Sequence, residues 1–268
     1  MNTHKIHDKY QLAQLIRFKA HMLDIAIKTA NVNLEAKKTD LVELKKYLLD
    51  WKQKGYSEGP DYIWAKERIH NFESWLSGKI QTIHKKKHIQ KANDSILFDI
   101  IKNRRSIRFW KKKQIPHELI NQIIEAATYA PTAFNRMEWR FFVAETPLDK
   151  MIEGDASNTS MFEKAPVRIF VAVDESLFFE KYSGAMDTGL ALQNMILMAH
   201  SLGLGTCLIY QGEFVDPDFL EKYYSIPKFM KVYCAVTLGY PDETPDVPAR
   251  MKIEEVTEFL GIIPNPQM

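Results

Sequence analysis

Three arginines and a serine fall within five residues in the run RRSIR at 104–108, and so dense a set of donors is chemistry suited to holding an anion. Arg104, Arg105 and Arg108 each carry a permanently charged fork that matches phosphate or carboxylate in two-point geometry, and Ser106 adds a short neutral donor between them. Taken alone, the run reads first as a solvated basic loop, the usual role of clustered charge. Its standing as an anion grip depends on what the rest of the chain brings to it.

Other reactive side chains offer less. His84 and His88 stand at an i, i+4 interval that could clip a metal, yet Lys85, Lys86 and Lys87 lie between them and no third ligand is near, so no metal is expected. Cys207 and Cys234 sit in apolar runs outside any CxxC or zinc-like spacing, which predicts buried, inert thiols in a reducing, cytoplasmic compartment. The first residues lack the continuous apolar segment of a signal peptide, and no stretch reaches the roughly 20 uninterrupted apolar residues of a membrane helix. No membrane partner is expected.

A chain of 268 residues, 46% hydrophobic and 12% aromatic, can bury one large core or two small ones. Its formal net charge of +2 conceals an asymmetry: 18 lysines and arginines face 10 acidic residues over 1–93, and 18 face 24 over 94–268. A basic region of that kind can meet nucleic acid, an anionic membrane surface or an acidic face of its own protein. Here the lysines recur at helical spacing without a nucleic-acid motif, which favours a solvated helical face.

Hydrophobic periodicity predicts that 1–93 is helical. Leu12, Leu15, Ile16, Met22, Leu23 and Ile27 recur at three-to-four spacing within 6–30; Leu41, Leu44, Tyr47, Leu48 and Trp51 share a face behind a cap at Thr39-Asp40; a third segment from Asp61 carries Ile63, Trp64, Ile69, Phe72 and Trp75. The 84–88 run predicts a solvated helix end or linker. Beyond it, Asn93-Asp94-Ser95 cap a short helix that delivers the chain into RRSIR, and Pro116 opens a helix that runs to Tyr129. Strand-like runs at 139–144, 167–173, 206–209 and 232–238 are interleaved with an apolar helix over 184–205 that must be buried nearly all round. The pattern is mixed α+β, and no GxGxxG fingerprint follows a strand.

Four segments in a fixed order carry more than any one of them: RRSIRFW at 104–110, APTAFNRMEW at 130–139, DTGLALQNMILMAHSLGLGTCLI at 187–209 and LGYPDETPDVPAR at 238–250. Together they resemble the nitroreductase family of FMN-dependent oxidoreductases over about 94–268, whereas 1–93 has no counterpart in the basic family pattern. The resemblance implies an α+β domain with a mixed, mainly antiparallel sheet flanked by helices, preceded here by a helical N-terminal extension over 1–93. It implies that Arg104, Arg105, Ser106 and Arg108 surround the ribityl chain and phosphate of FMN, with Arg250 reaching the phosphate from the C-terminal segment. Pro131, Thr132 and Asn135 are implied beside the isoalloxazine ring, with Leu208, Ile209 and Tyr210 near its opposite face. Where the family has Gln-Pro before a tryptophan, this chain has Met137-Glu138 before Trp139, which is expected to put negative charge at the edge of the site. Tyr210-Gln211-Gly212 also departs from the Gly-rich continuation of relatives.

The resemblance further implies a two-stage cycle, in which NAD(P)H reduces FMN and a small oxidised acceptor of nitroaromatic, quinone or flavin type takes the electrons in the same pocket. The redox chemistry belongs to the cofactor, and no side chain is nominated as acid or base. A homodimer with flavin at the subunit interface is implied, with the helical extension wrapping it, covering the site as a lid, or binding a separate partner. Two other classes stay open. One is a specialised flavin-fold enzyme, reductive dehalogenase-like or flavin-cleaving, with a lid drawn from the N-terminal helices or from about 147–165. The other is a non-catalytic flavin-binding interaction protein.

Overall fold

The computed structural model describes residues 9–28, 32–79, 94–146, 164–177, 180, 182–210 and 216–260. The 84–88 linker, nearly all of the candidate lid at 147–165, and Gln211-Gly212 lie outside the described residues. Helices α1 (Lys9–Lys28), α2 (Leu34–Gln53) and α3 (Pro60–Leu76) pack around their own core, in which Leu12, Ile16, Leu23, Leu44, Trp51 and Phe72 are buried. Helix α2 starts earlier than the Thr39-Asp40 cap expected from sequence. Asn33 caps it, its side chain accepting from the Ala36 amide at 3.1 Å, while Thr39 donates back to the Glu35 carbonyl and buried Asp40 binds Lys19 at 2.7 Å and Lys37 at 3.0 Å. The first turn of α2 faces solvent, so apolar periodicity could not mark it.

The remaining elements are α4 (Asp94–Asn103), α5 (His117–Thr128), β1 (Trp139–Glu145), β2 (Val167–Val173), α6 (Ser183–Ser201), β3 (Gly205–Tyr210), α7 (Pro217–Tyr224), β4 (Lys231–Gly239) and the short α8 (Ile253–Val256). The strands form one sheet in the order β1-β2-β4-β3, with every neighbouring pair antiparallel. Successive side chains of a strand point to opposite faces. On β2, Val167, Ile169 and Val171 therefore meet Ile120 and Ile123 of α5 and Met195 and Ile196 of α6, while Phe170 and Ala172 meet Leu220 of α7 with Ile226 and Met230. Burial on both faces is why 167–173 reads as a nearly continuous apolar run.

The segment after α4 lies along the sheet as a partial fifth edge. Ser106 forms a parallel bridge with Thr206, Ile107 donates its amide to the Thr206 carbonyl at 2.9 Å, and Lys111 donates to Tyr240 at 2.9 Å. Two glycines permit this approach: a Cβ on Gly205 would lie 2.6 Å from Ile107 Cβ, and one on Gly239 would overlap the Trp110 ring. Gly239→Ala is expected to destabilise the fold by about 1–3 kcal/mol through this overpacking. A thermal midpoint equal to that of the parent protein would show that the 105–111 segment yields freely.

Helix α6 departs from the expectation of burial all round. Ala191, Met195 and Ala199 are buried, yet Met186 and Leu190, with Tyr182 at the N-cap, form an uncovered apolar stripe at four-residue steps. The sheet and α5 cover only part of its circumference. Helix α4 likewise leaves Ile96, Leu97, Phe98 and Ile101 exposed. Among the described residues no helix is long and apolar enough to cross a membrane. Both cysteines are free and buried, and burial raises the thiol pKa of each, that of Cys234 to about 11.

Candidate functional site

The RRSIR run begins as a continuation of α4, with the Arg104 amide bonded to the Ile100 carbonyl at 3.1 Å, and leaves as an extended segment against β3. Arg104, Arg105 and Ser106 are half-buried there, and Arg108 is exposed. Burial, followed by repulsion from Arg105 and Arg250, lowers the pKa of the Arg104 guanidinium. His200, in the last turn of α6, is lowered by burial and then by Arg104 and Arg105. The fold thus gathers Arg104, Arg105 and Arg250 into one positive neighbourhood, with His200 beside it biased toward its neutral form. Arg105 is turned to the Lys102 and Arg104 carbonyls at 2.7 and 2.9 Å, and Arg250 to the Ala249 carbonyl at 2.9 Å. Among the described residues none of these three arginines pairs with a carboxylate. Like charges held together without a counterion in a half-buried setting fit a bound polyanion such as a phosphate. Nearby, the Arg108 and Phe109 amides donate to the Glu243 carboxylate, the second at 3.0 Å, which fixes where the run turns.

Strand β3 lies beside this cluster. It pairs with β4 along one edge and meets the 105–111 segment only at Thr206 along the other, Leu208 is nearly half exposed and Ile209 half-buried; the Tyr210 side chain is outside the described residues.

The second group of expected residues sits elsewhere. Pro131, Thr132 and Asn135 follow α5 in a tight loop where Phe134, Asn135 and Met137 have φ of 53°, 55° and 51°. Non-glycine residues in this left-handed region each carry a strain of roughly 1–3 kcal/mol, so the surroundings must hold the loop. They do so from two sides. From α6, the Asp187 carboxylate accepts the Ala133 amide at 2.8 Å, and within the loop Thr132 Oγ1 accepts the Met137 amide at 3.2 Å. From α1, Arg17 donates to the Arg136 carbonyl at 2.7 Å and the Met137 carbonyl at 3.1 Å, and Gln14 donates to the Glu138 carbonyl at 3.2 Å. A cavity of about 420 Å³ opens against the loop, with Pro131, Thr132, Ala133, Met186 and Leu190 in its wall.

Helix α6 connects the two groups and also separates them. Asp187, at the loop, precedes His200, at the arginines, by thirteen residues, which at the α-helical rise is about 20 Å. Within one chain the arginine cluster and the 131–135 loop therefore stand at opposite ends of α6.

Glu138 corrects the expectation of added negative charge. It is only 1% exposed, and burial, followed by the neighbouring Asp187 carboxylate, pushes its carboxyl up to about 8. Inside the protein its protonated, neutral form is favoured. Sequence reasoning also passed over Gln11, Gln14 and Arg17. Their signal was present as polar residues three apart on the buried side of an otherwise apolar helix face.

Comparison with known proteins agrees with this architecture. The model of the Nitroreductase family matches residues 101–175 and 153–240. A protein of Methanothermobacter thermautotrophicus named "Putative NADH dehydrogenase/NAD(P)H nitroreductase" is 36% identical over 179 residues, spanning 64% of this chain and 90% of that protein. A protein of the same name from Archaeoglobus fulgidus is 33% identical over 153 residues, spanning 55% of this chain and 86% of that protein. The crystal structure of a nitroreductase with bound FMN from Bacteroides fragilis superposes with a TM-score of 0.50 at 25% identity, covering 63% of this chain and 100% of that one. Fold, motif order and these matches agree, and the chain belongs to the nitroreductase family.

Proposed function

We propose that this chain is an FMN-dependent oxidoreductase that passes electrons from NAD(P)H through flavin to a small oxidised acceptor of nitroaromatic, quinone or flavin type. In this reading 94–268 is the flavin-binding unit and 1–93 an accessory helical unit, a division supported by the separate core of α1–α3. The observation that carries the proposal is the gathering of Arg104, Arg105 and Arg250 without a carboxylate partner among the described residues, with Ser106 between two members of the run. Family membership, the FMN of the Bacteroides fragilis structure and the name of the archaeal relatives support it.

Bound FMN would supply the redox chemistry, accepting hydride from NAD(P)H and yielding the electrons to the acceptor. The residues supply position. Arg104, Arg105 and Arg250 would hold the phosphate through charge-assisted bonds, with Ser106 and Arg108 toward the ribityl chain. Leu208 and Ile209 offer apolar surface on the accessible edge of β3, with Tyr210 next in the strand. Pro131, Thr132 and Asn135, at the opposite end of α6 from the arginines, would reach the ring from a second copy. The uncovered stripes on α6 and α4 support such a homodimer. Two free, buried thiols suit a reducing, cytoplasmic setting.

Anaerobic titration of the FMN-loaded protein with NADH and with NADPH tests the proposal. The flavin absorbance is expected to bleach with at least one of them and to return on addition of a quinone or nitroaromatic. Bound flavin that neither nicotinamide reduces would point instead to a flavin-binding interaction protein.

A further inference from the structure

We propose that helix α1 is an intramolecular clamp on the 132–138 loop, with Arg17 as the residue that positions it. The proposal rests on the function above only in holding that this loop faces the flavin ring. Helix α1 buries Gln11, Gln14 and Arg17 at 3%, 3% and 9% exposure, all on the face turned toward the sheet-bearing unit. A docking surface that served stability alone would be expected to be apolar, because burying polar groups requires a partner for each. Here each side chain places a donor on the loop or beside it: Gln11 donates to Asp174, Gln14 to the Glu138 carbonyl, and Arg17 to two successive loop carbonyls. Arg17 is itself braced by Asp61 of α3 at 2.9 Å, so the three-helix unit stands behind the grip.

Aromatic contacts finish the junction. Phe18 meets Phe134 edge-on at 5.3 Å between ring centres, and the buried Arg136 guanidinium lies 5.9 Å from the first ring and 5.5 Å from the second. Arg136 also binds Glu180 at 2.8 Å, which ties the same loop toward the start of α6. The contacts converge on the stretch with three left-handed, non-glycine residues, which ends at Met137-Glu138. The loop is held by donors from a helix that lies outside the residues matched to the family. The clamp thereby couples the accessory unit to the loop that presents Pro131, Thr132 and Asn135.

Hydrogen exchange and flavin circular dichroism on the full-length, FMN-loaded protein test the clamp. Arg17→Ala is expected to speed amide exchange over 132–138 by about tenfold or more, while β2 and β4 keep their protection. It is also expected to change the visible circular dichroism of bound flavin. Arg17→Lys, which can reach one carbonyl at a time, is expected to fall between. Leu44→Ala, which removes a side chain from the core of the helical unit, serves as the comparison. Loop exchange in Arg17→Ala equal to that of the parent, or matched by Leu44→Ala at the same loss of thermal stability, would overturn the proposal. Exchange is read in the protein with or without flavin, so faster loop exchange in a chain that binds no flavin would support the clamp while removing the functional reading.

Discussion

Replacing Arg104 and Arg250 together by alanine is expected to leave a folded protein that no longer retains FMN. The two residues arrive from opposite ends of 94–268 and share one positive neighbourhood, in which Arg250 helps lower the pKa of the Arg104 guanidinium. A charge-assisted hydrogen bond contributes about 1.5–3 kcal/mol, so losing two would weaken flavin binding by roughly two to four orders of magnitude. Folding is expected to survive, because the substitutions remove like charges that repel and break no carboxylate pair among the described residues. Gel filtration followed by absorbance of the protein peak reads the outcome. Undiminished flavin in the double variant would place the phosphate elsewhere.

Glu138→Gln is expected to flatten the pH dependence of stability. In the folded chain burial and Asp187 hold the Glu138 carboxyl up to about 8, against an ordinary value of 4.5. Between those values the folded protein keeps a proton that the unfolded chain has released. Stability is therefore fully present below the unfolded value and falls as pH rises through the folded one, by up to about 1.4 kcal/mol per pH unit. Glutamine keeps the size and a donor but cannot ionise. Thermal midpoints from pH 5 to about pH 9 should fall by several degrees more in the parent than in the variant, given a few degrees per kcal/mol in a chain of this size. Parallel profiles for the two proteins would show that Glu138 is not the group that titrates.

What could be read in the sequence was chemistry written in residue types. The arginines of RRSIR and Arg250 announce an anion wherever they meet, and the apolar runs of β2 and β4 announce central strands. Backbone acceptors leave no such mark. The carbonyls of Arg136 and Met137 are what Arg17 grips, and nothing in their side chains foretells it. Nor does a glutamate in a sequence state which side of the surface it occupies, so Glu138 read as a charge when it is a buried acid. Helix α7 escaped detection because Leu220 is its only buried residue, too little to set a period. The distance between the arginines and the 131–135 loop could not be read until α6 was seen to run between them. That spacing divides the candidate residues between the two ends of one helix.

The most direct measurement is to denature the purified protein, release whatever chromophore it carries, and identify and count it by chromatography and absorbance. One FMN per chain, lost in the Arg104 and Arg250 double variant, is the expected result. A parent protein that carries no flavin and takes none up from an excess of FMN would contradict the site, the cofactor and the electron-transfer function together.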